Sequence, residues 1–161
     1  MGSTIPQLVF CCCQSYPYEE VIKELIKLSD ATDMGQLVQS IFSYEHKGEN
    51  CLFAAFQQKM NNFYTTLQQF KKLKQLPKQP ANSSIEMFNA IESLLIYFLQ
   101  LAEQNNLDMD QVINIRREGG DSLFQIACFL SEKVSIELIK RNVKVNTIDN
   151  IFNTPLFMVR Y

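Results

Sequence analysis

Apolar residues recur at three- and four-residue spacing through most of this chain, the period of helices that bury one face. Gln7 to Gln14 reads as a short buried helix. Tyr18 to Ser29 places Val21, Ile22, Leu25, Ile26 and Leu28 on one side, with Glu19, Glu20, Lys23, Glu24 and Lys27 outside. Asp33 can cap a further helix that buries Leu37, Val38, Ile41 and Phe42, and the stripe from Cys51 to Phe70 predicts another. Lys71 to Ser84, KKLKQLPKQPANSS, breaks the pattern and reads as an exposed basic loop. Ser83 or Ser84 is then expected to cap a long helix from Ile85 to Gln104, burying Met87, Phe88, Ile91, Leu94, Leu95, Phe98, Leu99 and Ala102. Near the end, Val134, Ile136, Leu138 and Ile139 predict a helix that Asn142 stops. The fold class this predicts is all-α.

The pattern also repeats. Asp121 to Phe124 reads DSLF and Thr154 to Phe157 reads TPLF, a period of about 33 residues, the spacing of one helical hairpin copied in tandem. Before the second copy, Asn146, Asp149 and Asn150 are turn formers, Thr154 can cap a helix, and Pro155 suits its first position. Upstream, KGENCLFAAF from Lys47 parallels EGGDSLFQIACF from Glu118, aligning Gly48 with Gly119 and Asn50 with Asp121. That step is a little longer than two such periods, so the middle unit carries an insertion or an eroded copy.

Val145, Asn146, Asp149, Thr154, Pro155 and Leu156 match in order the pattern of an ankyrin repeat, and the run resembles one. Phe152 stands where that pattern has its turn glycine, and Phe157 where it has histidine. The resemblance implies a helical-hairpin solenoid of ankyrin-like repeats with lengthened helices in the middle unit. As one repeat domain it divides into N-terminal helices and turn (1–47), an elongated repeat with its loop at 71–84 (48–118), and a regular repeat with the start of the next (119–161). Because Tyr161 falls inside a first helix, the expectation is either a fragment of a longer array or a last turn shielded by something else.

Composition narrows the partners. A chain of 161 residues, 47% hydrophobic, can bury a continuous core, and a net charge of −2 gives no basic footprint for nucleic acid. No run reaches the roughly 18 apolar residues of a membrane span. Five cysteines, three of them adjacent at Cys11 to Cys13, and no basic leader with a long apolar stretch suggest a reducing, intracellular setting, cytoplasmic or nuclear. The cysteine run reads as buried helix rather than an acylated start, since Pro6 sits where the acylation pattern wants serine or threonine.

Chemistry is not encoded in a recognisable constellation. His46 is the one histidine, so a multi-histidine metal site cannot be built, and a Cys51–His46 pair lacks a group to orient the base. The expectation is therefore no enzyme, no cofactor and no metal; what the ankyrin resemblance implies instead is a protein–protein interaction module, adaptor or scaffold, using turn tips and a concave groove, similar to the asparagine- and glutamine-rich arrays of host-targeting bacterial and viral proteins. The alternative is the targeting segment of a larger enzyme whose catalytic domain lies outside this chain. What the resemblance implies for contacts is the turn tips: Tyr44, Glu45, His46 and Lys47; Arg116, Arg117 and Glu118; Asn150, Ile151 and Phe152. Phe152 is either exposed as an anchor for a protein partner or packed sideways against Arg116 or Arg117.

Overall fold

The computed structural model describes residues 4–15, 19–29, 33–57, 82–117 and 120–156, with the backbone alone for 15 and 82–88. Helices follow in the order α1 (Ile5–Ser15), α2 (Glu19–Lys27), α3 (Met34–Ser43), α4 (51–57), α5 (Asn82–Gln104), α6 (Met109–Ile113), α7 (Leu123–Leu130) and α8 (Glu132–Lys140). A new helical turn starts at 155. Among the described residues there is no strand, and extended pairing is confined to the isolated bridges His46–Glu49 and Arg116–Ser122. The protein is all-helical over these residues, as its apolar spacing predicts.

The long α5 holds the molecule together. It packs against α2 and α3 on the N-terminal side and against α6 and α8 on the other, while α1 lies on α2 and α3 and α7 on α8. Two sets of neighbours explain why its buried residues cover so wide an arc: Ile91, Leu94, Leu95, Phe98, Leu99, Leu101 and Ala102 are all withdrawn from solvent. The short α4 goes further. Cys51 to Phe56 are six buried residues in succession, so this helix is apolar all round and sits inside the core.

Ends are well specified. Asp33, Asp108, Ser122 and Ser131 each accept a backbone N–H of the helix that follows, and Ser122 and Gln125 form a full capping box. Asn50 caps α4 in the same way, taking the N–H groups of Leu52 and Phe53 at 3.1 and 3.2 Å. α5 and α8 stop alike. Asn106 and Asn142 take left-handed φ of 55° and 60°, and the next N–H returns to the carbonyl five positions back, Leu107 to Ala102 and Val143 to Leu138. Arg141 then clamps the two helix ends together. Its Nη2 donates to Glu103 Oε2 at 3.0 Å and its Nη1 to Glu137 Oε2 at 2.6 Å, while Nε lies 2.9 Å from Glu103 Oε1 but off the line of its N–H.

Several expectations need correction. α5 starts at Asn82, so Ser83 and Ser84 lie within it and neither caps it. Met87 and Phe88 lie outside the described side chains, and the stretch from Met60 through the expected loop to Ala81 lies outside the described residues. On α2 only Ile22 and Ile26 are buried, whereas Val21, and Leu28 just past the helix end, face solvent because α1 and α5 cover a narrower strip than the sequence offers. On α8, Ile136 and Ile139 are exposed and Ser135 is buried, its hydroxyl satisfied by the carbonyl of Ser131 at 2.8 Å.

Candidate interaction surface

Three of the connections hold a turn closed by backbone hydrogen bonds, with a left-handed residue two positions before the residue that precedes the next helix. In the first, His46 and Glu49 exchange backbone hydrogen bonds at 2.9 and 3.2 Å around Lys47 and Gly48, at φ 54° and 72°. In the second, Arg117 N donates to the carbonyl of Asp121 and Gly120 N to that of Arg117, with Gly120 at φ 83°. The third repeats the second: Asp149 N donates to the carbonyl of Asn153, Phe152 N to that of Asp149, and Phe152 stands at φ 65°.

This equivalence corrects the register by one position. Gly120 holds the left-handed place, and Ser122 rather than Asp121 is the cap; the corresponding positions are Gly48 and Asn50 in the first turn and Phe152 and Thr154 in the third. Arg117 therefore corresponds to Asp149, a step one position shorter than the one obtained by matching DSLF to TPLF. The step between the two helix stops, Asn106 and Asn142, is longer than this by roughly one helical turn. The extra length is taken up between α5 and the second turn, where the short α6 sits.

Each of the last two turns is tied shut across four positions, with different chemistry. Arg117 forms an ion pair with Asp121, Nε to Oδ2 at 2.6 Å. Asp149, in the same place, uses Oδ1 to accept Ile151 N and Asn153 N at 2.9 and 2.7 Å, and Oδ2 to accept Asn153 Nδ2 at 2.9 Å. Burial raises the Asp149 carboxyl, but the hydrogen bonds from Asn153 and Ile151 outweigh it and hold the group below the usual carboxylate range.

Neighbouring turns are fastened to each other. Arg116 Nη1 donates to the carbonyl of Ile148 at 2.6 Å, the hydroxyls of Ser122 and Thr147 are hydrogen-bonded at 2.9 Å, and Gln125 Nε2 donates to the carbonyl of Asn153 at 2.8 Å. Asn150 lies against Gly120, where a Cβ would come within 2.9 Å of the Asn150 backbone nitrogen. These partners were missed by sequence reasoning. Ser122 and Gln125 look like ordinary polar helix residues until the loop 147–153 is laid beside them.

The expected tip residues therefore separate. Tyr44 is half-buried and its ring meets Phe10 edge-on, with centroids 5.6 Å apart; the exposed His46 ring meets the same Phe10 at 5.8 Å. Arg116 and Arg117 are engaged within and between turns, Arg117 also reaching Gln57 Oε1 at 3.4 Å, and Asn150 is packed on Gly120. Glu118 lies outside the described residues. His46, Arg116 and Asn150 are exposed although engaged, and Glu45, Lys47, Ile151 and Phe152 are exposed as well, Phe152 at 85% and Ile151 at 75%. Phe152 is not packed against the second turn.

Burial disfavours the thiolate at four of the five cysteines. Cys51 is fully buried and burial pushes it up to about 12, so its thiolate is suppressed; Cys13 is likewise raised by burial, and Cys12 and Cys128 to a lesser extent. Among the described residues no group of three or more histidine, cysteine or carboxylate side chains is placed to hold a metal ion, and no helix is long and apolar enough to cross a membrane. No protein-family model matches the chain, and the search of curated proteins returned no match.

Proposed function

We propose that the chain is a protein-binding module, a divergent ankyrin-type array whose turn tips meet a protein partner, with Phe152 as the anchor. Phe152 carries the reading. A bulky residue at φ 65° sits in a region that costs about 1–2 kcal/mol for any side chain but glycine, and here its ring makes no compensating burial. Strain at a site that does nothing for packing is consistent with selection for what the ring does outside the fold. The exposed Ile148 and Ile151 on the same turn extend the apolar contact.

Support for the repeat architecture comes from the second and third turns, which share their hydrogen bonds, their left-handed residue and their ties to one another, and from the shared endings of α5 and α8. The test is the affinity for a partner, once identified, of Phe152→Gly against the unaltered protein by calorimetry. An anchor of this kind loses about 30-fold or more on truncation, the fold-change of a hot spot of about 2 kcal/mol. Equal affinity of the two proteins would remove Phe152 as the anchor.

A further inference from the structure

Between the end of α3, the first turn and α6 lies a cleft of about 300 Å³. Phe42 and Val112, both buried, and the half-buried Ile115 give the lining its apolar part; Glu45 and Asp108 bring two exposed carboxylates, and the remaining lining side chains are uncharged and polar. We propose that this cleft is a socket for one arginine side chain of a protein partner.

Among the described residues, neither carboxylate has a cation of its own. Glu45 is in no ion pair there, and Asp108 spends Oδ1 on the N–H of Asp110 at 3.0 Å, which leaves Oδ2 open. Lys144 is paired with Asp110 at 3.1 Å and Arg117 with Asp121, and Lys47, exposed in the same turn as Glu45, is not among the side chains that line the cleft. A long side chain with an aliphatic stem and a planar charged head suits such a mixed lining, because the stem matches Phe42, Val112 and Ile115 while the head matches the carboxylates of Glu45 and Asp108. Capacity agrees. The cleft is at the small end of the ~300–1,000 Å³ usual for ligand sites, room for a side chain rather than a cofactor. Position agrees too, since Glu45 belongs to a turn tip.

The inference rests on the reading that the chain binds a protein, but its test does not need the partner. The full chain, labelled with ¹⁵N, is titrated with the blocked tripeptide Gly-Arg-Gly and separately with its citrulline analogue, which keeps the shape and loses the charge. Saturable amide shifts at Phe42, Glu45 and residues 108–112 with the arginine peptide are expected, together with a weaker or absent response to citrulline. Glu45→Gln should weaken binding about three- to fivefold, as loss of one partly exposed charge contact does. Glu45 makes no side-chain hydrogen bond among the described residues, so the variant should remain folded. Equal binding of both peptides, shifts confined to other residues, or an unchanged affinity of Glu45→Gln would each overturn the socket. Loss of the socket with a Phe152→Gly defect intact leaves the tip reading standing, and the reverse pair of results removes the tip and keeps the socket.

Discussion

Gly120 and Phe152 occupy the same place in successive turns, at φ 83° and 65°. One is walled in by Asn150 and the other points into solvent, so an identical backbone meets opposite surroundings. Exchanging side chains at the two places should therefore give opposite results. Gly120→Ala forces a Cβ against the Asn150 backbone and into a left-handed conformation at once, and should destabilise the fold by about 2–3 kcal/mol. Phe152→Gly should leave stability unchanged or raise it by about 1 kcal/mol, because relief of strain outweighs the added freedom of the unfolded chain. Urea denaturation of the two variants measures both.

The corrected register makes its own prediction. Ser122 caps α7 and is buried beside Thr147, so Ser122→Ala should cost about 1–2 kcal/mol, whereas Asp121→Ala loses a partly exposed ion pair with Arg117 and should cost no more than about 1 kcal/mol. If the alignment of DSLF on TPLF were the physical one, the order would invert. Midpoints of chemical unfolding for the pair decide it.

Asp149 should make the third turn sensitive to acid. Its folded-state carboxyl is held below the unfolded value of about 3.9, so its stabilising contribution is complete above that value and is lost as pH falls through the lower folded one. Amide exchange of Ile151 and Asn153 should accelerate, relative to the intrinsic rate, only in that acidic window. Asp149→Asn retains an acceptor for both N–H groups and should flatten the dependence.

The cysteines should divide by access. Cys11, exposed on α1, is expected to react with a thiol reagent in the folded protein, whereas Cys51 should stay unmodified at neutral pH until the protein is denatured. Counting modified thiols by mass spectrometry with and without denaturant checks this. Rapid labelling of native Cys51 would contradict its burial inside α4.

Local rules were readable where the signal and its partner are close in sequence. Asp33 before α3 and Asn142 after α8 did what their residue types imply, because a cap needs only the next turn of backbone. The register differs by one position for a physical reason: letters align on shared leucine and phenylalanine, while the chain aligns on the dihedral that closes the turn. Those coincide except where a glycine pair such as Gly119–Gly120 makes two neighbouring positions equally suitable for the bend. Likewise the apolar stripe of α2 is wider than its neighbours can cover, so Val21 and Leu28 could not be placed without knowing where α1 and α5 lie. Of the candidate tip residues, the sequence singled out Phe152 by its mismatch with the repeat pattern; the engagement of Arg116, Arg117 and Asn150 depended on contacts beyond their own turns.

The fastenings of Arg116, Ser122 and Gln125 all end on residues 147 to 153. Anyone shortening this protein after α8, at the tidy boundary offered by Asn142, would strip three side chains of hydrogen-bond partners and open the far edge of α7 to water. The smallest piece that can stand by itself is thus set by the loop that follows the last complete hairpin, and a shortened version would be expected to melt earlier than its lost length alone would suggest.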